Sequence, residues 1–490
     1  MIRSLRRRDL LRFGAMAGSG LLLDAPSVRA ATAATPTIDP NVEAPFEGPA
    51  DVTLRIGPVL VDVADDHTIS TIGYNGASPG PLIRLKEGKT VTVELINETD
   101  APEFVHWHGQ LVAAAVDGAA EENSLVVPAR GKLRYRLTPQ PAGLRFVHSH
   151  VVAGADLHRG GYTGQHAPVY IEPANDPGRY DQEVFLTTHE WEPFFTGQEM
   201  EEGEEHEEQK EEKEKTEAGE EKPNGWEVGY RLFSINGRAL GHGEPIRVRQ
   251  GARVLFRILN ASATENIKLA LPGHRFLVVA LDGNPVPTPK LVDVLRLGAA
   301  ERIDAIVEMN HPGAWVLGTP RDDDRKNGLG VIVEYAGSRG DPQWVAPPRK
   351  SKWDYTIFGG GRPAPKPDQV IPMVFGKING GKGGFNRWTI NGKTYEDQGE
   401  PMKLQKGLRY RLAFDNRTDD AHPLHLHRNV FELTSVDGRP TAGVMKDVVV
   451  IRGFGRVDVD FTADQPGLSL FHCHHQLHMD YGFMQLFDVV

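Results

Sequence analysis

Three stretches of this chain repeat one pattern of apolar and polar positions. The first is Tyr74-Asn75-Gly76 followed by PGPLIRLKEGKTVTVELIN, which ends at Asn97. The second is FSINGR from Phe233 followed by EPIRVRQGARVLFRILN, ending at Asn260. The third is WTINGK from Trp388 followed by EPMKLQKGLRYRLAFDN, ending at Asn416. Each reads as an Asn-Gly turn, a short strand, a Gly turn and an alternating strand that closes on Asn. Period-two alternation between turn residues predicts half-buried antiparallel strands. The copies lie about 155 residues apart, too far for a solenoid unit. The pattern predicts an all-β chain of three repeated domains, each a Greek-key β-sandwich.

Turn punctuation sets the expected boundaries. Domain one covers residues 37–172 and domain two residues 178–335. A Gly-, Pro- and Lys/Arg-rich linker covers 337–366, and domain three covers 367–490. A chain of 490 residues can bury several cores of this size. One cysteine rules out an internal disulfide, so stability rests on packing and on any bound metal.

The formal charge of −11 changes meaning once it is located. Residues 199–221 hold thirteen Glu and three Lys, a net −10, which leaves −1 for everything else. That balance gives no basic footprint for nucleic acid. The acidic run lacks apolar periodicity and is expected to be a solvated insert in domain two. Carboxylates around His206 also suit weak gathering of copper or of a cationic substrate.

Residues 1–30 read as a targeting segment. Arg6-Arg7-Arg8-Asp9-Leu10-Leu11-Arg12 resembles a twin-arginine signal, an apolar run from Phe13 to Leu23 follows, and Val28-Arg29-Ala30 offers a cleavage site. The run is short for a bilayer span. The expectation is a protein handed to the twin-arginine export machinery, periplasmic or otherwise extracytoplasmic, with no membrane span in its mature form.

Four histidine motifs carry the candidate chemistry: His106-Trp107-His108-Gly109, His148-Ser149-His150, His422-Pro423-Leu424-His425-Leu426-His427, and Phe471-His472-Cys473-His474 running on to His478. On a strand, residues two apart share one face. His472 and His474 therefore point one way and Cys473 the other, so one strand can serve two metal centres. A thiolate with two imidazoles and a weak or absent axial ligand is the blue-copper pattern, supplied here by Cys473, His422 and His478. Eight imidazoles remain. Zinc competes for histidine clusters, but its sites stand alone and need no thiolate link to a second centre.

These motifs, in this order over three repeats, resemble a three-domain multicopper oxidase of the laccase type across the whole mature chain. The resemblance implies cupredoxin-like domains and four copper ions: one type 1, one type 2 and two type 3. It assigns His422, Cys473 and His478 to type 1. His106 and His425 go to type 2, His108, His148 and His474 to one type 3 ion, and His150, His427 and His472 to the other. The cluster would lie between domains one and three, with domain two as a spacer. The implied reaction takes single electrons from a phenol or similar small reductant and reduces dioxygen to water, with Cys473, His472 and His474 joining the two sites. Asp117 matches the family acid near the cluster and suits proton supply.

The chain also departs from that pattern. Phe483, where relatives carry an axial Met, cannot ligate, which is expected to raise the type 1 potential. Met479 stands where several bacterial relatives carry Glu, so that acid's role is absent or shifted to Asp480. Three other readings compete. A periplasmic cuprous oxidase is disfavoured by the scarcity of Met. A copper nitrite reductase is disfavoured by the full set of paired histidines. A non-catalytic copper-binding protein of cupredoxin fold is disfavoured because no ligand position is missing.

Overall fold

The computed structural model describes residues 48–174, 179–197, 225–338, 340–348, 353–361, 363–381 and 383–490. The targeting segment and the acidic insert lie outside these residues. Within them the chain forms six sheets that pair into three β-sandwiches. Among the described residues no helix is long and apolar enough to cross a membrane.

The three Asn-Gly dipeptides do what the repeat predicts. Asn75, Asn236 and Asn391 have φ of 52°, 54° and 52°, and the glycines after them 75°, 75° and 77°. Two consecutive positive φ values define the type I′ hairpin turn, which Asn-Gly adopts most readily.

The alternating strands that follow are Val91–Asn97, Arg253–Asn260 and Arg409–Asn416. Their pairing corrects the antiparallel expectation. Each runs parallel to the first strand of its own domain and antiparallel to its other neighbour. The chain crosses from one sheet to the other between the two parallel strands, which a hairpin cannot do.

Alternation of burial holds for the first and third of these strands but not the second, which is buried on both faces. Domain two is flanked on two sides. Its Arg257, for example, donates to the Tyr170 hydroxyl of domain one at 2.8 Å.

Domains two and three share one topology, a six-stranded sheet on a five-stranded one, with equivalent strands in identical order. Domain one has two four-stranded sheets. It lacks the three strands that domain three forms at Phe431–Val436, Arg439–Lys446 and Val448–Ile451. In their place the chain makes two short helical turns, Ala114–Asp117 and Ala120–Glu122. Part of the linker packs rather than spans: Tyr355 and Phe358 are buried, and the Tyr355 hydroxyl donates to Glu301 at 2.7 Å.

Burial without a matching cation leaves a pH signature in domain two. Glu190 is buried, and burial together with the nearby Glu265 pushes its carboxyl up to about 8. The folded chain therefore holds a proton there that the unfolded chain releases near pH 4.5, so this group costs stability progressively as pH rises between those values. Glu190→Gln is expected to match the parent near pH 4.5 and to exceed it by a widening margin up to about pH 8, then run parallel. Denaturant midpoints measured from pH 5 to 9 check this, and a constant margin would contradict it.

Candidate metal centres

The strand Gly467–Cys473 lies in the middle of a domain-three sheet and pairs with His422–Leu426, so that His425 sits opposite His472 and Leu424 opposite Cys473. This register puts the thiol and the imidazoles of one strand on opposite faces. Cys473 is fully buried.

On the thiol's side three ligand atoms converge. Cys473 Sγ lies 3.7 Å from His422 Nδ1 and 3.6 Å from His478 Nδ1, and the two nitrogens are 3.2 Å apart. His478 enters from the short helix Gln476–Asp480. Its other nitrogen, Nε2, faces the Glu227 carboxylate at 3.6 Å, an ion-pair distance. Burial opposes charge here, but Cys473 and Glu227 prevail and push His478 up to about 10. Positive charge is favoured at this point. Phe483 is fully buried with its ring centroid 4.9 Å from that of His422. Trp388 packs on His478 at 4.0 Å.

On the opposite side eight imidazoles from domains one and three meet. His106, His108, His148 and His150 come from the paired strands Val105–His108 and Gly143–Ser149 and the residue after them. His425, His427, His472 and His474 come from domain three. Among them, His106 Nε2 is 3.4 Å from His425 Nε2, and His427 Nε2 is 3.0 Å from His472 Nε2. The protons can be placed by elimination. His106 Nδ1 faces the Asp117 carbonyl at 3.0 Å, and His425 Nδ1 the Asp447 carbonyl at 2.7 Å. His427 Nδ1 faces Asp117 Oδ2 at 2.8 Å, and His472 Nδ1 the Cys473 carbonyl at 2.8 Å. Carbonyl and carboxylate oxygens only accept, so each Nδ1 carries the proton and each Nε2 a lone pair. Two lone pairs at 3.0–3.4 Å repel unless a cation lies between them. His108 Nδ1, His148 Nε2 and both nitrogens of His150 and His474 are also buried without a partner.

Burial pushes the His108, His148, His425, His427, His472 and His474 imidazoles well below the ordinary range, and neighbouring imidazoles add to it. His150 falls to about 4. They are neutral at physiological pH, which is the state that binds metal. His106, His425 and His427 form one cluster of ligand atoms, His150, His427 and His472 another, and His422, Cys473 and His478 a third. The donor set fits metal ions at both sites.

The family question is settled by comparison. Three family models described as multicopper oxidase match residues 57–176, 202–336 and 371–490. The chain belongs to the multicopper oxidases. It is thus a copper-dependent oxidoreductase that uses dioxygen. It is similar to multicopper oxidase MmcO of Mycobacterium tuberculosis, with 29% identity over all of this chain and 97% of that one. It is 23% identical to a copper resistance protein A homolog of Pseudomonas syringae pv. tomato, over 88% of this chain and 91% of the relative. Among solved structures, the laccase of Botrytis aclada shares the fold at a TM-score of 0.70 and 18% identity, covering 90% of this chain and 88% of that one.

All eleven candidate ligands are thus gathered into two sites of this oxidase. Asp117 is fully buried, and its carboxylate reaches His427 and also His106 Nδ1 at 3.2 Å. It ends a helical turn whose next residue, Gly118, has φ of +94°; a Cβ there would lie 1.9 Å from the Val105 carbonyl oxygen. Glycine is what lets this turn press against the His106 strand. Asp480 accepts from the Ala153 and Gly154 amides at 2.9 and 2.7 Å and from Gln476 at 3.0 Å, holding domain three against domain one. Met479 lines a cavity of about 30 Å³ beside His148, His150, His472 and His474.

Four further groups at these sites were not singled out in the sequence. Glu122 accepts from the Leu470 amide at 2.7 Å, and burial followed by repulsion from Asp117 raises its carboxyl well above the ordinary range. Asp447 and Arg302 stand behind His108, and Glu227 behind His478. No spacing in the sequence marks any of them.

Proposed function

We propose that this multicopper oxidase is laccase-like. It would take single electrons from phenols or similar small reductants at the His422–Cys473–His478 site and reduce dioxygen at the eight-histidine site. The observation that carries this reading is the strand on which Cys473 serves one site while its two flanking histidines serve the other. Copper bound in these sites supplies one-electron redox chemistry and a place for dioxygen. The individual ligands follow the family assignment: His422, Cys473 and His478 for type 1, His106 and His425 for type 2, and the remaining six histidines, three each, for the type 3 pair. The overall reaction consumes four electrons and four protons per dioxygen and yields two waters.

The residues do the rest. Backbone carbonyls fix the tautomers of His106, His425 and His472, and the Asp117 carboxylate that of His427, while Phe483, packed against His422, offers no ligand atom to a type 1 copper. Asp117 and Glu122 form a buried acid pair adjoining His427 and His106, in which burial and then repulsion from Asp117 raise the Glu122 carboxyl. That is a proton source at the reducing site. Asp117→Asn keeps the shape and removes the charge. Turnover is expected to fall by about 10²–10⁴-fold, the usual weight of a proton donor, while the blue absorption stays. Unaltered oxygen consumption would remove Asp117 from the proton path.

The reading as a cuprous oxidase draws on relatives named for copper resistance, but no methionine-rich segment marks a cuprous-ion pocket. One experiment separates the readings. The copper-loaded protein is examined by visible and electron paramagnetic resonance spectroscopy, and oxygen uptake is followed with a phenol and with Cu(I). A blue protein that consumes oxygen with the phenol supports the laccase reading, and uptake with Cu(I) alone supports the cuprous one. Colourless protein without uptake defeats both.

We also propose export by the twin-arginine route to an extracytoplasmic compartment, from Arg7 and Arg8 ahead of the apolar run. Cell fractionation of an Arg7→Lys, Arg8→Lys variant tests it, since unimpaired export would exclude that route.

A further inference from the structure

Domain two supplies none of the eleven ligands. Its strands Ile267–Ala270 and Ala314–Gly318, equivalent to the histidine-bearing strands of the other domains, contain no histidine. We propose that domain two nonetheless sets the geometry of the eight-histidine site through Arg302, a positioning residue that holds the Asp447 carboxylate against His108. The inference rests on the copper reading of that site.

Arg302 is fully buried and grips Asp447 with both arms of its guanidinium: Nη1 donates to Oδ1 and Nη2 to Oδ2, each at 2.6 Å. Arg145 of domain one adds a third bond to Oδ2 at 3.0 Å. Asp447 Oδ1 also faces His108 Nε2 at 3.1 Å. A carboxylate held by two guanidiniums only accepts, so His108 carries its proton on Nε2 and turns a bare Nδ1 to the centre.

This reverses the arrangement of its neighbours. His106, His425, His427 and His472 each commit Nδ1 to an oxygen acceptor and turn Nε2 inward. A flip of the His108 tautomer would place an N–H where a lone pair is needed. The Asp447 carbonyl orients His425 as well, so one residue fixes two ligands.

Two further observations show a built arrangement. Gly109 in the His-Trp-His-Gly motif has φ of +76°. A Cβ there would lie 2.5 Å from Asp447 Oδ2 and 2.9 Å from Arg302 Nη2. That glycine makes room for the ion pair. Asp282, also of domain two, accepts from the Asp447 and Val448 amides at 3.3 and 3.1 Å and pairs with Lys446 at 2.9 Å. Domain two thus clamps three consecutive residues of domain three.

Partners behind a metal-bound histidine fix its tautomer, and their loss weakens metal binding by about 10–100-fold. The test uses Arg302→Lys, which keeps the buried positive charge but loses the two-armed geometry, together with Arg302→Met. In copper-free protein labelled with ¹⁵N-histidine, His108 is expected to be protonated on Nε2 alone, and to become a mixture of tautomers in both variants. After loading, copper at the eight-histidine site should be retained about 10–100-fold less tightly. The blue absorption should persist, because His422, Cys473 and His478 lie outside the clamp. If Arg302→Met does not fold, the lysine variant decides. A folded lysine variant with the parent's His108 tautomer and copper retention overturns the proposal. A parent protein that binds no copper at the eight-histidine site overturns the underlying reading instead, and the copper-free tautomer measurement tells the two failures apart.

Discussion

Replacing Cys473 with serine is expected to abolish the blue colour and to reduce oxygen consumption to background while leaving the fold intact. The thiol is fully buried, and among the described residues its hydrogen-bonding contacts are the two ligand nitrogens alone. The backbone of the residue is held independently, with its amide donating to the Phe483 carbonyl at 3.1 Å. Serine fits the same space and keeps that bond. What disappears is the only thiol in the chain. A hydroxyl is a hard, weakly acidic ligand, and the blue-copper site depends on a thiolate. The sulfur is also the group that places the first site two backbone links from both His472 and His474. Visible absorption, circular dichroism and oxygen uptake check the three parts of this expectation. A blue, active serine variant would contradict the assignment of the site.

The second large effect concerns stability. Three cations and three anions meet, almost wholly buried, where the domains join: Arg145, Arg302 and Lys446 against Asp282, Glu301 and Asp447. Lys446 Nζ lies 2.9 Å from both Asp282 and Glu301. Burial alone would lower its basicity, yet these two carboxylates raise it. Lys446→Met removes the cation and leaves Glu301 with only the Tyr355 hydroxyl and the Gly298 amide. An uncompensated buried charge of this kind costs about 3–5 kcal/mol. Adding Glu301→Gln removes the stranded charge and should recover much of that loss. Denaturant unfolding of the copper-free single and double variants measures both quantities. A single variant within about 1 kcal/mol of the parent, the range of exposed ion pairs, would show the network to be unimportant.

The sequence made different parts of this molecule visible to different degrees, for physical reasons. The histidine motifs were legible because a strand places ligands two residues apart, so His148 and His150 or His472 and His474 announce themselves locally. The three-fold repeat was legible because Asn-Gly turns demand positive φ, which few other dipeptides tolerate. The clamp was not. Asp447 looks like a turn residue ahead of Val448-Val449-Val450, and its partners Arg145 and Arg302 lie 302 and 145 positions away. Nothing local shows that all three are dry. Glu227 and Glu122 escaped notice for the same reason. Domain two read as a spacer because it has no histidine pair, and the burial of Arg253–Asn260 on both faces is a property of its neighbours rather than of its own pattern.

The strands missing from domain one have a consequence for how the molecule is divided. Where domain three forms three further strands and domain two their equivalents, domain one makes the two turns that carry Asp117 and Glu122. Each has a partner in domain three: His427 for Asp117, and the amide of Leu470 for Glu122. Arg428 likewise reaches across to the Val112 carbonyl at 2.8 Å. An excised fragment ending at Glu172 would therefore present an open flank with a buried acid pair suddenly facing solvent. Domain one repeats the pattern of the others, but the partners of its two turns come in part from the last quarter of the chain.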